Sequence, residues 1–171
     1  TASVIRSIDV LIDRSIAADL TISTPVGGFS TAVREALRDV PEVGSATSVR
    51  YSRETARIAG KGATVDAIEP EAVDGLMRLR VADFDRDGFA SGGVLVARTK
   101  ADDEAWQVGD LIPATFTTVG DRPLVIVGIF EEREFLDEYV VAIDTYEQLF
   151  TEQRDFFVFA GAAVAWAAGK W

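Results

Sequence analysis

The sequence predicts an α+β fold, on three observations. Helical periodicity marks the amino-terminal part, short alternating strands joined by hairpin-type turns fill the middle, and a short helix returns before a last strand. Strands joined by hairpins, with helices clustered near the ends, argue against a doubly wound parallel sheet.

The elements follow in order. Val4, Ile5, Ile8, Leu11, Ile12 and Ile16 recur at threes and fours with Arg6, Asp9, Asp13 and Arg14 between them, which predicts an amphipathic helix over 4–16. Ala18 to Ile22 alternates as a half-buried strand does. Pro25, Gly27 and Gly28 break the pattern. Ser30 is placed to N-cap a second helix whose Val33, Ala36, Leu37 and Val40 form one apolar face, and Pro41 closes it. Segments 46–51, 55–59 and 64–68 read as short strands, with Gly60-Lys61-Gly62 as a hairpin turn. The stretch 76–81 is ambiguous, and 83–93 is acidic and loop-like. Val94 to Ala97 reads as a buried strand, 100–106 as a short helix, and 112–118 with 124–130 as a hairpin turning at Gly120-Asp121. A strand over 139–143, a helix over 145–150 capped by Asp144, and a strand over 156–159 complete the series.

Composition narrows the function. The chain has 171 residues, 48% hydrophobic and 26% charged, which suits one ordinary globular domain. Its formal net charge of −11 opposes nonspecific attraction to nucleic acid and anionic lipid, apart from a local basic patch at Arg50, Arg53 and Arg57. There is no cysteine and no histidine, which removes disulfides, thiolate nucleophiles, the usual zinc sites and every Ser-His or Cys-His pair. No catalytic residue is therefore expected. The longest apolar run, from Phe156 to Ala168, is about 13 residues, short of the 18 to 20 that span a bilayer.

Several motifs invite a chemical reading. Asp83-Phe84-Asp85-Arg86-Asp87-Gly88 has the D-x-D-x-D-G form with which a calcium loop places three carboxylates round one ion. The twelfth position falls on Val94, which cannot ligate, so a site on Asp83, Asp85 and Asp87 needs an acid from elsewhere, such as Asp74 or Asp102. No other cofactor is expected. Asp102-Asp103-Glu104 and Glu131-Glu132 with Glu134 are carboxylate groups that read as solvated faces, Asp102 and Asp103 suiting a helix start. Gly27-Gly28 reads as a turn, not an anion cradle. Ile5, Ile8 and Ile12 form a stripe for the core or for another helix. Phe29, Phe84, Phe89 and Phe135 fall in loop-like or edge positions, where an aromatic can meet a partner.

The ordered set of segments Ala18-Asp19-Leu20-Thr21-Ile22, Phe29-Ser30, Leu37 to Val43, Val65 to Glu71, Gly93 to Ala97, Val108-Gly109-Asp110 and Val125 to Ile129 resembles the extracytoplasmic domain of MacB/FtsX-like ABC-transporter permeases. Glu69 stands where that family's turn carries aspartate, and Gly161 to Trp171 matches nothing in its pattern. The resemblance implies a porter-like α/β sandwich subdomain with an inserted, mostly β subdomain. Residues 1–52 would hold the stalk helix and first porter-like part, 53–136 the insert, and 137–160 the return; 161–171 would be an atypical tail. It implies a module at the cell membrane, on its extracytoplasmic side. The stalk stripe of Ile5, Ile8 and Ile12, with Phe84 and Phe89, would form the interaction surfaces. Its partners would be the remainder of the permease and its cytoplasmic ATPase, together with a lipid-like or peptide substrate or an extracytoplasmic protein. A stand-alone secreted or surface-anchored ligand-binding module is the alternative.

Overall fold

A computed structural model describes residues 20–23, 30–52, 55–132 and 135–162. In chain order the elements are β1 (Leu20–Ser23), α1 (Ala32–Arg38), β2 (Val43–Tyr51), β3 (Ala56–Ile58), β4 (Lys61–Ala63), β5 (Asp66–Ile68), α2 (Pro70–Asp74), β6 (Val81–Ala82), α3 (Arg86–Ala90), β7 (Val94–Ala97), α4 (Arg98–Glu104), β8 (Leu111–Ile112), β9 (Ala114–Phe116), β10 (Gly120–Asp121), β11 (Leu124–Phe130), β12 (Tyr139–Ala142), α5 (Ile143–Leu149) and β13 (Asp155–Ala162). The fold is α+β, as the sequence predicts. The last strand runs past Phe159 into the expected tail.

The chain forms two compact units, residues 1–50, 71–78 and 153–171 in the first and 51–70 and 79–152 in the second. The division differs from the expected one chiefly in two places: 71–78, expected in the insert, fall in the first unit, and 137–152 stay with the second unit. There β12 pairs with β5 and β7, so the strand expected to begin the return is interior to the second unit.

In the first unit β13 lies between β1 and β2, antiparallel to both. Five consecutive β2 residues, Ala46 to Arg50, are buried, so this strand is covered on both faces and does not alternate. Thr47 Oγ1 has no hydrogen-bond partner among the described residues, whereas two other polar members of that run do. Ser48 accepts from Arg34 Nη1 at 3.2 Å, and Arg50 donates through Nε to Asp155 at 2.7 Å. The helix α1 differs from expectation for the same reason. Arg34 is buried while Ala36 and Val40 are exposed, since Arg34 and Arg38 sit four apart and both reach to β2, Arg38 donating to the Ala46 carbonyl. Thr31, not Ser30, is its N-cap residue, and the helix ends at Arg38, before the strained pre-proline position is reached.

The second unit carries a mixed sheet in the order β5-β12-β7-β11-β6, with β8 pairing the start of β11. The β5/β12 and β7/β11 pairs are parallel, and the remaining pairs are antiparallel. A four-stranded antiparallel sheet, β10-β9-β3-β4, accompanies it. The core draws on both sheets and on α5, with Ile58, Phe116, Val96, Ile126, Val141, Tyr146 and Phe150 among its members. Continuous burial of Val94 to Ala97 and Tyr139 to Ala142 explains why these strands are unbroken apolar runs.

Two turns move relative to expectation. The β3/β4 hairpin turns at Ala59-Gly60, both at positive φ (50° and 79°), so Lys61 and Gly62 belong to the strand. Positive φ at both central residues is the two-residue hairpin geometry, and Ala59 holds it despite its Cβ. Gly120-Asp121 is likewise a strand, paired with Phe116 and Thr115 after a three-residue loop. The antiparallel partner of the start of β11 is then Leu111–Ile112, with Pro113, which has no N–H to donate, between β8 and β9.

Candidate functional site

The acidic loop is the first place to look, and the structure puts it to mechanical use. Asp85 is the N-cap of α3, its Oδ1 accepting from Gly88 N at 2.9 Å, and its own N–H donates to the Val127 carbonyl at 2.8 Å. Asp83 adopts a left-handed φ of 53° and Asp87 lies in the first helical turn, where a carboxylate suits the dipole. Among the described residues no group of three or more acidic side chains is assembled to hold a metal ion, so Asp83, Asp85 and Asp87 do not converge as the calcium reading required. The D-x-D-x-D-G spacing is used for a helix start instead.

The aromatic positions are corrected in the same region. Phe89 is fully buried, and Phe84 is half-buried with its ring edge-to-face to Phe89 at 5.9 Å between centroids. The Arg86 guanidinium stands 5.6 Å from the Phe84 centroid and donates to the Pro70 carbonyl at 3.0 Å. Phe89 is thus an anchor of α3, not part of an exposed patch. Phe135 is also half-buried. The exposed apolar side chains of the second unit are instead Leu111 (63% exposed), Val125 (42%) and Val119 (39%), with Leu111 directly opposite Val125 in the β8/β11 register. Their signal was present in the sequence: Ile112, Ala114 and Phe116 alternate inward, which puts Leu111 outward. Ile5, Ile8, Ile12, Phe29 and Glu134 lie outside the described residues.

Three of the carboxylates, Glu104, Glu131 and Glu132, are tied to a structural partner. Glu132 accepts from the Thr99 N–H at 2.6 Å at the start of α4, and these hydrogen bonds hold its carboxyl below the usual range. Glu131 meets Arg98 at 3.4 Å. Glu104 takes hydrogen bonds from Lys61 and Lys100, which lower its pKa and raise that of Lys61. Asp102 and Asp103 fall late in α4, not at its start as expected. Arg50 is buried against Asp155, so it contributes to no surface patch, and Arg57 donates to its own hairpin at Gly60 O.

A cluster that sequence reasoning missed stands out in the second unit. Asp66 is fully buried on β5, and its Oδ2 accepts from the Asp137 N–H at 2.6 Å. Burial, the largest influence, and the nearby Asp137 carboxylate together push its pKa up to about 8, against the opposing pull of that hydrogen bond. Tyr51 donates its hydroxyl to the Phe135 carbonyl, and burial with the charges of Asp66 and Asp137 raises its pKa strongly. Thr64 Oγ1 donates to Asp137 Oδ2 at 3.0 Å. Beside the cluster, Thr55, Gly62, Ala63, Thr64, Asp137 and Glu138 line an open depression of about 430 Å³. A second open depression of about 700 Å³ is lined by Arg80, Val81, Ala82, Glu131 and Glu132. No sequence spacing could have found a contact between residues 71 apart.

The fold is the one found in extracytoplasmic domains of ABC-type transporter permeases. Three solved structures carry it. The periplasmic region of MacB from Actinobacillus actinomycetemcomitans aligns at a TM-score of 0.60 and 12% identity, over 82% of this chain and 68% of that one. The extracellular domain of the noncanonic ABC-type transporter YknZ from Gram-positive bacteria aligns at 0.60 and 19%, over 85% and 83%. A domain assigned to a permease protein from Porphyromonas gingivalis aligns at 0.55 and 18%, over 89% of this chain and 65% of that one. No protein-family model matches the chain, and neither does any curated protein. The likeness read from the ordered motifs is matched at the level of fold, and these neighbours are transporter domains, not enzymes. Among the described residues no helix is long and apolar enough to cross a membrane.

Proposed function

We propose that this chain is the extracytoplasmic domain of an ABC-transporter permease. In this reading it transmits motion driven by a cytoplasmic ATPase to a substrate or partner on the outer side of the membrane. One observation carries the proposal: the backbone follows the extracellular domain of YknZ over most of both chains. The chemistry is consistent with transmission and not catalysis. Glu132 is engaged in capping α4 and Glu104 in ion pairs, and both depressions are open to water. A catalytic carboxyl works best in a closed, water-excluded site, which neither provides.

The surface best suited to meet a partner is the outward face of β8 and β11, where Leu111 and Val125 present adjacent apolar side chains. The first test is the gene that encodes the chain, which should place membrane-spanning segments on both sides of it. A direct assay replaces Leu111 and Val125 by threonine in the full-length permease and follows substrate export beside ATP turnover. Loss of export with ATP turnover retained supports coupling through this face. Unchanged export would remove the face from the proposal.

A further inference from the structure

The segment 135–137 leads from the β11 side of the second unit into β12, and three side chains from earlier strands hold it. Tyr51 donates to Phe135 O, Asp66 Oδ2 accepts from Asp137 N, and Thr64 Oγ1 donates to Asp137 Oδ2. Asp66 uses only one of its two oxygens. Its Oδ1 is buried and has no hydrogen-bond partner among the described residues. A neutral carboxylic acid tolerates that position far better than a carboxylate, which would carry a full charge with one donor only.

Among the described residues, the surroundings offer an ionised Asp66 no relief. The Tyr51 phenol and the Asp137 carboxyl are the titratable groups acting on it across the cluster. On β12, whose Val140 lies opposite Asp66, the flanking titratable side chains are Glu138 and Tyr139. The helix α5, packed on β5, carries Asp144, Tyr146 and Glu147, and Tyr146 donates to Tyr51 O at 3.4 Å. The two described cations nearest in sequence are already engaged, Lys61 by Glu104 and Arg57 by the Gly60 carbonyl. Among the described residues, the titratable groups named on these elements are acidic, phenolic or already paired.

We propose that Asp66 is a proton-controlled latch: protonated, it pins the 135–137 segment against β5, and on releasing its proton to solvent it frees that segment so that water reaches the carboxylate. Two effects oppose each other. The Asp137 N–H bonds more strongly to a carboxylate than to an acid, which favours the closed form. Burial beside the Asp137 charge disfavours it and is the larger effect, since the net shift of the Asp66 pKa is upward. The latch therefore opens as the surroundings turn alkaline.

The test is amide hydrogen exchange of residues 135–138, resolved by NMR between pH 6 and pH 9 and normalised for the intrinsic base catalysis of exchange. The Asp137 amide should lose at least tenfold of its protection through the titration of Asp66. In Asp66→Asn, which keeps an oxygen for the Asp137 N–H but cannot ionise, normalised protection should stay level. A carbon-13 titration of the Asp66 carboxyl in the unaltered chain runs beside it and needs no variant to fold; its midpoint should lie well above that of an ordinary aspartate. Level protection in the unaltered chain, an equal loss in Asp66→Asn, or an Asp66 midpoint near 4 would each overturn the latch.

Discussion

Replacing Arg50 by methionine should be among the most damaging single changes in the first unit. The Arg50 and Asp155 side chains are 1% and 0% exposed, and they join β2 to β13 directly across the register at 2.7 Å. Arg50 Nη1 also donates to Gln153 Oε1 at 2.7 Å, while Asp155 Oδ2 has no hydrogen-bond partner among the described residues. The Asp155 carboxyl thus depends heavily on the guanidinium. Methionine fills much of the same volume, so the cost is chiefly that of a buried polar group left without its partner. Breaking one side of a buried pair costs about 3–5 kcal/mol, whereas replacing both sides with apolar residues is often near neutral. Arg50→Met should accordingly lower the unfolding free energy by about 4 kcal/mol. The melting temperature should fall by about 10 °C, at roughly 2–4 °C per kcal/mol for a chain of this size. The double variant Arg50→Met with Asp155→Leu should recover most of that loss. Urea unfolding followed by circular dichroism measures all three proteins. A single variant that loses under about 1 kcal/mol, or a double variant no better than the single, would refute the assignment of the energy to the stranded carboxyl.

Four further outcomes follow from the second unit. Asp66 has a native pKa of about 8 against an ordinary 3.8, so the native state holds a proton that the unfolded chain gives up. The stability it contributes is complete below pH 4 and declines as pH rises towards 8, at up to about 1.4 kcal/mol per pH unit. The difference in unfolding free energy between Asp66→Asn and the unaltered chain should therefore shift in favour of the variant across that window; a constant difference would contradict the burial argument. Gly128→Ala should destabilise by about 1–3 kcal/mol in the same unfolding assay, because its Cβ would come within 2.5 Å of Val81 Cγ1 and 2.8 Å of Leu95 Cδ2 in a packed core. Asp85→Ala should cost about 1 kcal/mol with or without calcium, through the lost cap, while Asp87→Ala changes melting little. Equal, calcium-dependent losses at both positions would restore the metal reading. Leu111→Thr should move stability by no more than about 0.5 kcal/mol, since the side chain is 63% exposed.

Strands that form continuous or alternating apolar runs were legible in the sequence, because burial on one or both faces leaves that pattern directly. Val94 to Ala97, Leu124 to Phe130 and Tyr139 to Ala142 are such cases. Features decided by partners distant in sequence were not. Arg34 and Arg38 turn α1 towards β2 through hydrogen bonds to residues 14 and 8 positions away, overriding the apolar face at Ala36 and Val40. The Ala59-Gly60 turn was displaced because alanine rarely occupies positive φ, so glycine alone marked the expected turn. The acidic loop was read for ligation because its spacing serves both purposes, and only the Asp85 contact with Gly88 N distinguishes a cap from a coordination shell. Phe89 lay in a loop-like sequence, yet α3 folds it inward onto Phe84.

The likeness in fold was legible through the order of weak motifs, and the solved structures match it at that level. The Asp66 cluster was invisible because Tyr51, Asp66 and Phe135 to Asp137 meet only once the second unit has folded. In the same way Leu111 and Val125 become neighbours only through the β8/β11 pairing. Under the proposed function, the first would be a place where the domain responds and the second a face that passes the response on.

Hydrogen exchange measured by mass spectrometry on this domain within the full-length permease, reconstituted with its ATPase in a lipid bilayer, tests that coupling most directly. ATP binding should change exchange in peptides of this domain, reversibly on nucleotide removal and in step with ATPase engagement. Exchange that is identical with and without ATP throughout the domain, in a preparation that turns ATP over, would contradict the coupling function.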